Sequence, residues 1–151
     1  MEKTKPFDQE SDITDIILHR KNDVGLFILR LSIGGLMLFH GMSKIIYGTE
    51  QVENILLRTG MPVFFTFGVF LGEVLAPLML ILGYKVRMAG FLIAVDMLVA
   101  TLLVHASDFN QMNELGGWML ELNALYFLGA VAIIFLGSGR IALTKGNGAL
   151  D

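Results

Sequence analysis

Seven ionisable side chains lie inside stretches of the sequence that are otherwise apolar. They are Arg30, His40, Lys44, Glu73, Asp96, His105 and Glu121. On insertion scales, one Arg, Lys or Asp at the centre of a bilayer costs about 2.5–3.5 kcal/mol. Such groups therefore have to pair with one another or reach water, and they are the first candidates for chemistry in this chain.

Acid–base chemistry is the reaction type that these side chains fit best. A buried carboxylate or imidazole that is not fully paired can hold or pass a proton. We therefore take Glu73, His40 and Glu121 as the candidate catalytic residues. For these three residues we weigh function above packing.

Three further residues are candidate ligand-binding groups: Lys44, His105 and Trp118. Each also has a simpler interpretation. Lys44 and His105 lie near the ends of their helices and could extend towards lipid headgroups. Trp118 could be an aromatic residue of the membrane interface.

Arg30 and Asp96 are predicted to form a structural ion pair. They lie six and nine residues from the same end of their respective helices, which is a similar depth at about 1.5 Å per residue. Glu73 is followed four residues later by Pro77, which lacks the N–H that would bond the Glu73 carbonyl. We therefore expect a kink and a free carbonyl acceptor beside this carboxylate.

The elements that must position these residues are four apolar stretches, at about 24–46, 63–83, 87–105 and 117–137. A bilayer-spanning helix needs about 20 such residues. Of the 151 residues, 54% are hydrophobic and 17% charged, and the mean hydropathy is +0.66. This composition excludes a soluble enzyme and a nucleic-acid-binding protein, and the lack of cysteine excludes disulfides, thiol nucleophiles and thiolate metal sites. We predict an all-α fold, an up-down transmembrane four-helix bundle with tails at 1–23 and 138–151.

The basic residues predict an orientation for this bundle. If the helices alternate in direction, eight of them fall on one side: Lys3, Lys5, Arg20, Lys21, Lys85, Arg87, Arg140 and Lys145. Only Arg58 falls on the other side. Positive residues favour the cytoplasmic side, so both termini are predicted to be cytoplasmic.

Two short interfacial helices are also predicted. One lies in the N-terminal tail, where Ile13, Ile16 and Ile17 share a helical face. The other lies in the first loop, where Val52, Ile55 and Leu56 form a stripe. For this loop, an ordered segment without a helix is an equally good alternative.

An ordered series of short motifs runs through the four stretches. They are Leu29-Arg30-Leu31, Gly34, His40-Gly41-Met42-Ser43-Lys44, Leu71-Gly72-Glu73, Leu82-Gly83-Tyr84, Arg87, Val104-His105, Gly116-Gly117-Trp118, Glu121-Leu122, Leu125-Tyr126 and Gly137-Ser138-Gly139-Arg140. Over residues 25–143 this series resembles the DoxX family of small bacterial membrane proteins. One departure is Thr144, which stands where the family often has an aspartate.

The resemblance implies a multi-pass protein of the bacterial inner membrane, of the type classed as a subunit of an oxidoreductase. Some relatives are associated with quinone-linked oxidation of sulfur compounds and others with redox-stress systems. A bound quinone is the candidate cofactor, and no metal is expected. The expected partners are the lipid bilayer, a redox protein and a second copy of the chain, with no nucleic acid.

Two other functions remain open at this point. A small proton or solute permease would use the same polar interior as a path. A non-catalytic assembly or anchoring subunit would use the interior charges only to fix helix register. A di-iron centre is the weakest alternative, because the paired Glu-x-x-His motifs that such a centre uses in helical bundles are missing from the sequence.

Overall fold

The computed structural model describes residues 9–114, 116–145 and 148–151, with side chains described from Ile17 onward in these ranges. The regular elements in this part of the chain are helices, which confirms the predicted all-α class. They are α1 (Gln9–Tyr47), α2 (Glu50–Arg58), α3 (Val63–Leu82), α4 (Val86–Val104) and α5 (Glu121–Leu136). A 3₁₀ turn, Ala106–Asp108, follows α4.

Three of these helices are long and apolar enough to cross a membrane. They cover Ile17–Tyr47, Val63–Leu82 and Val86–Val104. The chain is therefore a multi-pass membrane protein. The fourth apolar helix, α5, has 16 residues and a length of about 24 Å, which is less than the roughly 30 Å hydrocarbon core of a bilayer.

The helix predicted from residue 117 begins later, at Glu121. Gly116 has a φ of 83°, which an α-helix does not allow. Trp118 then forms an isolated bridge with Met112 and continues the loop instead of a helix. The last apolar stretch is thus divided between a loop and the 16-residue α5.

At the other end of the chain, α1 is longer than predicted. It starts at Gln9 and runs for 39 residues, so that residues 9–23 continue the first spanning helix and do not form a separate tail helix. The side chains of Ile13 and Ile16 lie outside the described part, as do Lys3 and Lys5. In the first loop, α2 is present where Val52, Ile55 and Leu56 predicted it.

Small residues let the long helices approach one another closely. A Cβ added to Gly34 of α1 would lie 2.9 Å from the Pro77 carbonyl oxygen of α3. A Cβ added to Gly90 of α4 would lie 2.9 Å from the Ala130 carbonyl oxygen of α5. Such contacts set α1 against α3 and α4 against α5, and the α3–α4 pair is joined by the tight turn at Gly83.

The hydrophobic core lies towards the Gly83 end of these helices. Its fully buried residues include Ala76, Leu80, Ala89, Ile93 and Ile133. Because these side chains have no solvent-accessible surface, this half of the molecule is closely packed. The other half, around Lys44, is more open and is described below.

Helix α3 is interrupted by one π-helical turn at Leu71–Leu75, in which the Ala76 N–H donates to the Leu71 carbonyl. The cause is Pro77, which has no N–H to bond the Glu73 carbonyl, as the sequence predicted. The disturbance takes the form of a wider turn. Turns of this kind are frequent at functional sites, and this one carries Glu73.

The C-terminal segment folds back on the Gly83 end of the helices. The guanidinium of Arg30 is buried and donates to the carbonyl of Ile141. The Thr144 hydroxyl donates to the Gly83 carbonyl at 2.9 Å, and Arg87 Nε donates to the main-chain oxygen of Asp151 at 2.5 Å. These three contacts fasten the end of the chain to the helices.

Candidate functional site

A cavity of about 810 Å³ lies among the helix ends around Lys44, and we call it the Lys44 cavity. Its walls come from all five helices, and most of the lining is apolar, including Met37, Leu56 and Met97. The polar side chains in its lining include His40 and Lys44 of α1, Glu73 of α3, Asp96 of α4, and Asn123 and Tyr126 of α5. A mostly apolar cavity with few convergent polar groups is typical of a small-molecule site.

The cavity is closed towards the hydrophobic core. On α1 its lining begins at Met37, on α4 it begins at Leu92, and on α3 it ends at Glu73. Beyond these positions the fully buried core residues fill the space between the helices. The cavity therefore ends at Glu73 on α3 and about one helical turn beyond Asp96 on α4.

The strongest polar contact in the cavity is an ion pair between Lys44 and Glu73. Lys44 Nζ lies 2.5 Å from both Oε1 and Oε2 of Glu73. The Glu73 side chain is 9% exposed and that of Lys44 is 25% exposed. Both carboxylate oxygens of Glu73 are thus bound by one ammonium group, which cancels the charge of the pair.

Asp96 stands beside this pair and takes no part in it. Its Oδ2 is buried and has no hydrogen-bond partner among the residues that the structure describes. Its carboxyl group lies against Gly72, where an added Cβ would clash with it, and its electrostatic neighbours are Glu73 and Lys44. The cluster thus contains two carboxylates and one ammonium group.

The predicted ion pair between Arg30 and Asp96 is not formed in this structure. Arg30 lies fourteen residues before Lys44 on α1, a distance of about 21 Å along the helix. Asp96 lies at the level of Glu73, so that Lys44 is its nearer cation. The C-terminal segment supplies the partner of Arg30 instead, through the Ile141 carbonyl, and the Phe27 ring centroid lies 5.7 Å from the guanidinium carbon.

His40 and His105 both line the cavity. The His40 ring meets the Tyr126 ring edge-to-face, with 5.8 Å between the centroids and an interplanar angle of 87°. His105 is the residue after α4, and its Nδ1 lies 2.9 Å from Oδ2 of Asp108. The first histidine therefore belongs to the cavity wall and the second to a loop at its edge.

The contact with His105 predicts how Asp108 titrates. Hydrogen bonds from the His105 ring and from the Ser107 hydroxyl lower the pKa of the Asp108 carboxyl below its ordinary value of 3.8. Because the folded-state pKa is depressed, the stabilising contribution is complete above 3.8 and is lost as the pH falls through the lower folded value. In a carboxyl NMR titration, we expect an Asp108 midpoint below 3.8 that rises in His105→Ala. An unchanged midpoint in that variant would contradict the hydrogen bond.

Two of the predicted site residues lie outside the lining of the cavity. The Trp118 indole N–H donates to the Phe109 carbonyl at 2.8 Å, and its ring packs edge-to-face on the Phe109 ring. Glu121 is exposed in the first turn of α5, with its carboxylate beside Gly117. An acidic group at this position is favourable towards the helix dipole. The late start of α5 explains both placements.

Asn123 and Tyr126 are cavity residues that were not among the predicted site residues, although Tyr126 belongs to one of the motifs quoted above. They are three residues apart on α5 and therefore share a face of that helix. The Asn123 amide donates to the Thr101 hydroxyl at 3.3 Å, and Tyr126 is buried. A polar pair at helical spacing in an otherwise apolar helix was the signal that could have identified them.

Within the described part of the chain, no group of three or more His, Asp and Glu side chains is arranged to hold a metal ion. The polar groups of the cavity are suited instead to hydrogen bonding and to proton transfer. Lys44 donates, Asp96 accepts or exchanges a proton, and Tyr126 does either.

Comparison with known proteins identifies one family. The family model named DoxX matches residues 25–106, more than half of the chain and a range that includes Lys44, Glu73 and Asp96. No curated protein and no solved structure matches the chain. The resemblance that the sequence suggested beyond residue 106 therefore remains a prediction. The match over residues 25–106 is sufficient to assign the chain, which belongs to the DoxX family.

Proposed function

We propose that this protein binds a quinone-like small molecule in the Lys44 cavity and acts as a membrane subunit of an oxidoreductase system. The observation that carries the proposal is a charged cluster, Lys44 with Glu73 and Asp96, at the closed end of an otherwise apolar cavity. Its volume of about 810 Å³ lies within the range of about 300–1,000 Å³ that is typical of ligand pockets.

The chemistry of a quinone fits the distribution of groups in the cavity. The ring and its tail require apolar walls, which Met37, Leu56 and Met97 provide. The ring oxygens require hydrogen-bond donors and a protonatable group. We assign these roles to Lys44 and to Glu73, with His40 as a second proton-carrying group. Glu121 and Trp118 are not part of the proposed site, because they do not line the cavity.

We further propose that the four apolar helices, α1, α3, α4 and α5, form an up-down bundle in the bacterial inner membrane. The close approach of α1 to α3 and of α4 to α5 supports this arrangement. The basic residues near the Gly83 end, Lys85, Arg87 and Arg140, support a cytoplasmic position for that end and for both termini. Electrons would be exchanged with a redox partner protein.

A non-catalytic anchoring role is the second candidate function, and one observation favours it. Helix α1 has 39 residues, or about 58 Å, which exceeds the roughly 30 Å core of a bilayer. Its first turns therefore extend beyond the membrane, where they offer a docking site. Two results together would favour this second role. A soluble redox enzyme would co-purify with the protein, and the Lys44 cavity would bind no quinone.

The proposed function is tested with protein reconstituted in liposomes and a decyl-substituted benzoquinone as the ligand. Equilibrium dialysis measures how tightly the protein binds this benzoquinone. We expect saturable binding that weakens roughly tenfold or more in Glu73→Gln and in His40→Ala, because each substitution alters a polar group on the cavity wall. The matched control is Glu121→Gln, an exposed carboxylate outside the cavity, which should bind as the unsubstituted protein does. Equal binding by all variants would refute the proposal.

A further inference from the structure

We propose that Asp96 makes the Lys44 cavity selective for the reduced, hydroxyl-bearing form of a quinone-like ligand. This inference rests on the proposed function, because it concerns the same cavity. Beyond the proposed function, the inference names Asp96 as the residue that determines which redox form of the ligand binds more tightly. Three features support it: the charges around Asp96, the burial of its carboxyl group and the hydrogen-bonding capacity of the two forms.

Among the described residues, no basic side chain forms an ion pair with Asp96. Lys44 is held by both carboxylate oxygens of Glu73, at 2.5 Å each. The His40 ring packs on Tyr126, and His105 is bonded to Asp108. Arg30 donates to the Ile141 carbonyl at the Gly83 end.

A ligand in the cavity would reach this carboxyl group once it rotates about its Cβ–Cγ bond, because the oxygen without a partner is turned towards Gly72. Asp96 lines the cavity, and its Oδ2 is buried against Gly72 with no hydrogen-bond partner among the described residues. A buried polar atom without a partner carries a penalty that a bound donor removes. A ligand that supplies this donor therefore gains affinity from Asp96, whereas a ligand without one leaves the penalty in place.

The two redox forms of a quinone-like ligand differ in this respect. A hydroquinone hydroxyl both donates and accepts, so it can satisfy Asp96 whether the carboxyl group is ionised or protonated. A quinone carbonyl only accepts, so it can satisfy only a protonated Asp96, and it opposes the charge of an ionised one. The hydroxyl form is therefore preferred when Asp96 is ionised and is still accommodated when it is protonated.

Three probes with the same ring and the same decyl chain test the inference under anaerobic conditions: the benzoquinone, the hydroquinone and its dimethyl ether. At a pH at which Asp96 is ionised, we expect the unsubstituted protein to bind the hydroquinone about tenfold more tightly than the other two. In Asp96→Asn the new side-chain amide would offer both a donor and an acceptor, so we expect the preference to fall to within about twofold. The control Glu121→Gln should retain the full preference.

A second variant keeps the inference testable should Asp96→Asn fail to fold. In Glu73→Gln, Lys44 is free to pair with Asp96, so the preference should disappear although Asp96 is intact. Equal binding of hydroquinone and quinone by the unsubstituted protein would overturn the inference and leave the proposed function standing. A preference that persists in both variants would overturn it as well. If no probe binds, the proposed function fails and the inference fails with it.

Discussion

Replacing Gly41 with alanine is expected to lower the free energy of unfolding by about 2–3 kcal/mol, the upper part of the range for an overpacked core. A Cβ at this position would clash with the carbonyl group of Glu73 and would lie 2.6 Å from Cγ2 of Val74. The Glu73 carbonyl is main chain and belongs to the π-helical turn, so it cannot move aside as a flexible side chain would. Helices α1 and α3 would have to separate at the level of the ion pair.

The matched control is Gly35→Ala on the same helix. No atom lies within 4 Å of a Cβ built at Gly35. Alanine also favours a helix over glycine, so this variant should be unchanged or more stable by up to about 1 kcal/mol. Denaturant unfolding in detergent, followed by circular dichroism, measures both variants. Equal stability of Gly41→Ala and Gly35→Ala would show that α1 and α3 do not meet as described.

Removing the ammonium group of Lys44 is expected to destabilise the protein by about 3 kcal/mol, the lower part of the range for breaking a buried ion pair. In Lys44→Met two carboxylates, Glu73 and Asp96, would lose the cation beside them. In Glu73→Gln the loss should be smaller, about 1 kcal/mol, because Lys44 can turn to Asp96. The loss of stability differs between the two variants because Asp96 is a third charged group beside the ion pair.

A double-mutant cycle separates this effect from a general loss of packing. The combined variant, Lys44→Met with Glu73→Gln, should be more stable than Lys44→Met alone, with a coupling of about 2 kcal/mol. Lys21→Met is the control, because Lys21 is an exposed lysine on the same helix, and we expect a change within about 0.5 kcal/mol. Strictly additive effects of the two substitutions would contradict the ion pair.

Much of the fold could be predicted from the sequence because membrane helices depend on composition and length. A run of about 20 apolar residues has few alternatives to a helix in lipid. The stretches that became α1, α3 and α4 met this condition. The last stretch did not behave in the same way, because the positive φ of Gly116 and the bridge at Trp118 depend on local turn chemistry that hydropathy does not register.

The candidate site was harder to predict than the fold, because it depends on how the helices are rotated and on segments that lie far apart in the sequence. Depth alone suggested that Arg30 would pair with Asp96, yet a carbonyl of the C-terminal segment binds Arg30 instead. Depth also placed Lys44 near the end of its helix, where an extended side chain is common. The pairing of Lys44 with Glu73 needed the close approach at Gly41, which a single sequence does not specify.

The packed half of the molecule has a consequence for turnover. Because the core fills the space beyond the closed end of the Lys44 cavity, an occupant has no exit through the described core. Arrival and departure would both take place on the open side, among the helix ends around Lys44.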